Sequence, residues 1–288
     1  MRAIPHLITH DETMDRAAPI GIFDSGLGGL TVTHAILDQL PHERLVYLGD
    51  TARVPYGTRS PETVLRYARS CARHLLTQDI KLLVVACNTV SAVALDMLRQ
   101  ELTIPVLGVI EPSAKAAVHA SRSGRIGVLA TGGTIASGAY PRAVQSERPG
   151  YTVFGLPAPL LVPLAEEGWT SGQVPELIID RYLSELSLQN VDALVLGCTH
   201  YPLFRPLLDQ RALALCGGDV VVVDSAEATA RELAVVLGQR DLVREAVVDD
   251  PQTDLKMFVT DMPGRFGEVA SRFLGRPIEG LSIEQIDL

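Results

Sequence analysis

What the sequence lacks narrows the reading first. No apolar run approaches the roughly 20 residues that a bilayer-spanning helix needs. The longest runs, 82–86 and 220–223, have the length of buried strands. Nor are Lys and Arg clustered: 25 basic residues face 34 acidic ones, for a net charge of −9. Neutralising nucleic-acid phosphates takes grouped cations, so nucleic acid and membrane are both excluded as partners. The cysteines are few and scattered, at 71, 87, 198 and 216, with no Cys-x-x-Cys. A disulfide scaffold and a dithiol redox centre fall away, and free thiols in a reducing cytoplasm are expected. The first seventeen residues lack the apolar stretch of a signal peptide. They carry His6, His10, Asp11, Glu12 and Asp15 and read as a loose extension.

What is present suits a folded enzyme. Hydrophobic residues make up 47% of 288, which supports a sizeable core in one large or two ordinary domains. Short β-branched runs predict strands over 19–24, 45–49, 81–86, 104–110, 125–130, 151–155, 192–197, 219–224 and 257–260. Helical periodicity lies between them. Ser60 and Pro61 read as N-cap and first turn, followed by an apolar stripe of Leu65, Ala68, Ala72, Leu75 and Leu76. Val174, Leu177, Ile178, Tyr182 and Leu186 read as a second stripe. Strands that are apolar throughout are buried on both faces, which predicts largely parallel sheets covered by helices.

The chain also resembles itself. The segments 20–26 and 126–132, 82–89 and 193–200, and more loosely 109–113 and 222–226 match at offsets of 106, 111 and 113 residues. Three matches in one order predict two pseudo-symmetric α/β domains with mainly parallel sheets and an active site in the cleft between them. The expected division is an extension over 1–17, a first domain over 18–111, a second over 112–224, and a segment 225–288 that returns to the first.

Cys87 and Cys198 occupy the same place in the two repeats, each after a buried strand and at the opening of the next helix. Ligands of open α/β sheets bind outside the carboxyl ends of strands, and a helix start favours thiolate. Either cysteine alone could as well be a small core residue. Their matched placement, with polar residues directly after each, favours two acid–base groups on opposite sides of one ligand. Cys71 inside a helix stripe and Cys216 before a glycine pair read as structural.

Asp24 ends the first strand ahead of Ser25 and a glycine-rich turn. No Gly-Lys-Ser/Thr follows, so the turn is not a phosphate loop. Asp24 could hold an ammonium or orient Cys87, or simply cap a helix. Cys198-Thr199-His200 lacks the ligand number of a zinc site, so no metal is expected. His200 reads as a proton partner of Cys198 or a polar cap. Asn88, Thr89 and Thr199 offer short donors suited to a carboxylate.

Six stretches, taken in order, resemble the glutamate racemases of the cofactor-independent aspartate/glutamate racemase superfamily. They are Gly21-Ile-Phe-Asp-Ser-Gly-Leu-Gly-Gly-Leu30, Tyr47-Leu-Gly-Asp-Thr-Ala-Arg-Val-Pro-Tyr-Gly57, Ala86-Cys-Asn-Thr-Val90, Ser137-Gly-Ala-Tyr140, Leu161-Val-Pro-Leu-Ala-Glu166 and Leu196-Gly-Cys-Thr-His-Tyr-Pro202. The resemblance implies that Cys87 and Cys198 are the acid–base thiols, with Cys198 serving L-glutamate and Cys87 D-glutamate. It implies that Asp24 assists Cys87, and that His200 and Glu166 support Cys198, with Glu167 the alternative carboxylate. Ser25, Tyr56, Gly57, Asn88, Thr89 and Thr199 would hold the substrate together with Asp24 and His200. Thr131 and Thr134 would be lesser contributors. It further implies no cofactor, a cytoplasmic homodimer, and a supply of D-glutamate for peptidoglycan. Ala158 departs from the family, which often carries a further cysteine there. An aspartate or hydantoin racemase, or a non-catalytic binding protein on the same scaffold, are the competing readings.

Overall fold

A computed structural model describes residues 15–217, 219–245, 254–262 and 264–288. The expected extension over 1–17 lies almost wholly outside these. The described chain runs β1 (Ile20–Asp24), α1 (Leu30–Gln39), β2 (Leu45–Gly49), α2 (Pro61–Leu76), β3 (Leu82–Val85), α3 (Asn88–Glu101), β4 (Val106–Gly108) and α4 (Ile110–Ala120). It continues through β5 (Arg125–Ala130), α5 (Gly132–Ala136), α6 (Ala139–Glu147), β6 (Thr152–Pro157), α7 (Leu161–Glu166), α8 (Gln173–Ser187) and β7 (Ala193–Gly197). The last elements are α9 (Arg205–Cys216), β8 (Val221–Asp224), α10 (Ser225–Gln239), β9 (Leu255–Val259), α11 (Phe266–Leu274) and β10 (Ser282–Gln285).

The strands form two sheets in which every pairing is parallel. One has the order β10-β9-β2-β1-β3-β4, the other β6-β5-β7-β8. The four strands β2-β1-β3-β4 thus repeat as β6-β5-β7-β8, with β1 equivalent to β5 and β3 to β7. The first two sequence matches coincide with these pairs. The third is out of register: Val109 follows β4, whereas Val222 lies inside β8.

Parallel pairing follows from burial on both faces. Ile20, Ile22, Leu82 and Val84 point into one apolar cluster, and Phe23, Leu83 and Val85 into the other. Each such side chain contributes about 1.5–3 kcal/mol of transfer free energy on full burial. Ser60 caps α2 by accepting from the Thr63 N–H; of the predicted α2 stripe Ala68, Ala72 and Leu75 are buried with Val64 and Cys71, while Leu65 and Leu76 are half-buried.

Three local expectations are corrected. The strand over 104–110 is only β4, because Pro105 has no N–H to pair and α4 begins at Ile110. The α8 stripe is rotated: Pro175, Ile179, Tyr182, Leu183 and Leu186 are buried, while Val174 and Leu177 are exposed. Helical spacing fits both sets, and packing against α9 selects the inner one. Finally, β10 joins the sheet edge although its Ser-Ile-Glu-Gln run carries almost no strand signal. Among the described residues no helix is long and apolar enough to cross a membrane.

Candidate active site

The candidate residues gather where the carboxyl ends of the two sheets meet. β1 delivers Asp24 and Ser25, β3 delivers Cys87, Asn88 and Thr89, β5 delivers Thr131, and β7 delivers Cys198, Thr199 and His200. Contacts close this junction from both sides. The Thr31 hydroxyl donates to the Thr199 carbonyl at 2.9 Å. Thr89 and Thr131 share a hydrogen bond of 2.9 Å, and Thr134 lies 3.0 Å from Thr131. The Tyr140 hydroxyl donates to Asn88 Oδ1 at 2.8 Å. Two glycines allow the approach. A Cβ on Gly28 would fall 2.3 Å from Thr199 Oγ1, and one on Gly57 would fall 2.9 Å from the Thr131 Cβ.

Cys87 is buried at the N-cap of α3, as the sequence predicts. Its thiol donates to Ser25 Oγ at 3.3 Å. Burial and the nearby Asp24 carboxylate push this thiol up to about 12. Cys198 is equally buried, but it does not open an α-helix directly. A 3₁₀ turn over Tyr201–Phe204 intervenes before α9, since Pro202 and Pro206 remove the N–H groups of a continuous helix.

The two thiols have different neighbours. Cys198 Sγ lies 3.8 Å from His200 Nδ1, and His200 Nε2 lies 3.0 Å from Glu166 Oε1. Burial alone would depress the imidazolium, but Cys198 and Glu166 outweigh it and lift His200 to about 10. Glu167 pairs instead with Arg265 at 2.8 Å, so of the two glutamates it is Glu166 that reaches His200. On the other side, burial raises the Asp24 carboxyl above its usual range. Backbone N–H groups and the His200 charge offset only part of that. Asp24 does not cap α1, whose N-cap is Gly29. Its Oδ2 accepts from the Gly26 N–H at 3.1 Å. Its Oδ1 and the Asn88 Nδ2 are buried polar atoms with no partner among the described residues. An unpartnered acceptor and an unpartnered donor in one buried site suit a small zwitterion.

The Tyr56 hydroxyl donates to Asp50 Oδ2. Asp50 is itself buried and also accepts from Arg53 at 2.6 Å and Thr260 at 2.8 Å. The hub anchors the loop, and what the loop presents to Thr131 is the backbone around Gly57. Sequence reasoning assigned no role to Tyr140, Thr31, Asp50 or Phe273. Tyr140 and Asp50 lie inside motifs that resemble the family, a signal that could have found them. The ring of Phe273 meets His200 edge-on at 4.9 Å, a contact between distant parts of the chain that no local pattern announces. Among the described residues, no three His, Cys, Asp or Glu side chains converge as metal ligands.

Two buried thiols thus stand on equivalent strand ends of a repeated α/β fold, and comparison with known proteins gives the class of enzyme to which such a chain belongs. The sequence model of the family described as Asp/Glu/Hydantoin racemase matches residues 20–233. A glutamate racemase of Geobacter metallireducens is 52% identical over 256 residues, 89% of this chain and 92% of that protein. The crystal structure of a glutamate racemase isoform from Bacillus anthracis superposes with a TM-score of 0.87 at 36% identity, covering 95% of this chain and 98% of that one. The Francisella tularensis glutamate racemase, solved in complex with D-glutamate, gives 0.85 at 34% identity, covering 94% and 98%. The chain belongs to the Asp/Glu/hydantoin racemase family and is an isomerase.

Proposed function

We propose that this chain interconverts L- and D-glutamate by proton transfer between Cys87 and Cys198, needs no cofactor, and supplies D-glutamate for peptidoglycan. The same reading includes action in the cytoplasm and a homodimer. The strongest support is the equivalent placing of two buried thiols at the ends of β3 and β7. The D-glutamate bound by the Francisella relative supports the substrate class.

The chemistry is demanding. An amino acid's α-proton has a pKa of roughly 20 or more, against ~8.5 for a free thiol. The gap of more than about 11 units corresponds to at least ~15 kcal/mol. The site must therefore hold the developing carbanion by charge and hydrogen bonds in a dry environment. Asp24 Oδ1 suits the α-ammonium. Asn88 Nδ2 and the hydroxyls of Ser25, Thr89 and Thr199 suit the carboxylates, with Thr131, Thr134 and the Tyr56-Gly57 backbone beside them. From L-glutamate, the Cys198 thiolate takes the α-proton, and the Cys87 thiol gives its own proton to the opposite face. The reaction ends with Cys198 as thiol and Cys87 as thiolate, and D-glutamate runs it backwards. The raised Cys87 fits a resting thiol. The protonated imidazole of His200 stands 3.8 Å from Cys198 Sγ, close enough to exchange a proton with it.

The test is D-glutamate formation from L-glutamate by purified, chelator-treated protein without pyridoxal phosphate. Solvent deuterium should enter at Cα. An enzyme that stops on chelation, or that turns over L-aspartate in preference, would overturn the reading.

A further inference from the structure

The last helical segment of the chain reaches across to the candidate site. α11 packs on α1, yet its Arg272 bonds the end of α7, which belongs to the other sheet's layer. Arg272 Nη1 donates to the Glu166 carbonyl at 2.6 Å and to the Ala165 carbonyl at 3.4 Å. These carbonyls end a six-residue helix, where backbone acceptors lack partners within the helix. Gly168 follows with φ +77°, and a Cβ there would fall 2.8 Å from the Arg272 guanidinium carbon. The glycine both turns the chain and lets the guanidinium lie against it. Glu268 holds Arg272 from its own helix at 2.8 Å, and Arg265 adds the pair with Glu167. The next residue, Phe273, sets its ring edge against the His200 imidazole.

We propose that Arg272 is a positioning residue for the proposed proton transfer: by fixing the end of α7 it keeps the Glu166 carboxylate on His200, while Phe273 holds the ring. The need for an anchor follows from exposure. The Glu166 side chain is 50% exposed, and a half-exposed ion pair between mobile side chains is worth little unless its backbone is held. The titratable groups that face His200 are Cys198 on its own segment, Glu166 from α7 and Asp24 from the end of β1, beside the uncharged Thr199 hydroxyl and the Phe273 ring from α11. Of the titratable groups, Glu166 is the one whose backbone Arg272 bonds.

This inference rests on the reading of His200 and Cys198 given above, and the experiment separates the two. Arg272→Ala and Arg272→Lys are compared with the parent protein by steady-state kinetics on both glutamate enantiomers. The His200 titration is followed by nitrogen-labelled imidazole NMR. Arg272→Ala should lower kcat by about 10-fold or more with KM within about twofold, as loss of an outer support does. The imidazole should lose its proton at lower pH, since Glu166 no longer holds it. Arg272→Lys, which can still reach one carbonyl, should restore part of both. A fall in kcat with an unmoved His200 titration and no rescue by Lys would make Arg272 a merely structural cap and overturn the proposal. So would unchanged kinetics and titration in folded Arg272→Ala. If the parent protein does not racemise glutamate, the functional reading fails, and the His200 titration alone still decides whether Arg272 positions the pair.

Discussion

Gly28 and Thr199 stand so close that a methyl group on the first would lie 2.3 Å from the hydroxyl oxygen of the second. They come from the loop after β1 and the segment after β7, so the contact gauges how tightly the two sheet ends meet. His200 Nδ1 is 2.5 Å from the same hypothetical atom. Gly28→Ala should therefore push Thr199 and His200 away from Cys198. Overpacking of this kind costs about 1–3 kcal/mol of stability. Displacement of catalytic groups by an ångström lowers turnover by up to about 100-fold. Melting and kinetic measurements on one preparation check both. A fully active Gly28→Ala protein would mean that the junction yields easily.

The assignment of thiols to faces can be read from elimination. A substrate with a leaving group at Cβ, such as chloroalanine, needs deprotonation on one face only. Cys87→Ser should retain more elimination from the L-isomer, and Cys198→Ser more from the D-isomer. Either variant should lose at least about 100-fold of racemisation, because one proton partner is gone. Four rates form the pattern, so poor folding cannot imitate it. A reversed pattern would exchange the two faces.

His200 links the site to alkaline stability. Its folded-state pKa is raised from 6.5 to about 10. A group raised in this way stabilises fully below about pH 6.5 and loses that contribution as pH rises through about 10. Melting temperature should thus decline more steeply between pH 7 and 10 in the parent protein than in His200→Asn. Equal slopes would show that the imidazole does not hold its proton in the folded state.

Away from the site, Lys81 and Glu43 form a buried ion pair at 2.6 Å. The ammonium also donates to the carbonyls of Arg16 at 2.7 Å and Leu242 at 2.9 Å, tying the start of the described chain to the segment after α10. Lys81→Met removes the counter-charge of a buried carboxylate that keeps the Arg244 N–H as a donor at 2.9 Å, and should cost about 3–5 kcal/mol. Adding Glu43→Leu should recover much of the loss. Chemical denaturation of the single and double variants measures the difference.

The strands and the two thiols were legible because their signals are local: continuous apolar runs, and cysteines followed by short polar residues. β10 was not, since an exposed edge strand needs no apolar run when its backbone pairs with β9. The phase of α8 was ambiguous because helical spacing permits two stripes, and only the neighbouring α9 selects one. The direction of the Tyr56 hydroxyl depends on Asp50 and Thr260, and the clamp on His200 depends on Phe273 and Arg272. These join residues far apart along the chain, which periodicity cannot bring together. The repeat was readable where strand ends carry side chains with a task, and it slipped out of register at 109–113, where nothing holds the spacing.

The matching order of β2-β1-β3-β4 and β6-β5-β7-β8 sets a limit on what the unequal thiols can do. Asp24 at the end of β1 has only Ala130 as its counterpart at the end of β5, so the repeated halves are chemically lopsided. Enantiomers in water nevertheless have equal free energies, and the overall equilibrium constant of a racemisation is one. The ratio kcat/KM must then be the same for both directions, however differently the two ends of the site are built. Asymmetry around Asp24 and His200 can divide that common ratio between saturation and turnover. The enzyme is therefore free to bind one hand tightly and turn it over slowly, and to bind the other loosely and turn it over fast, yet it cannot favour the net formation of either.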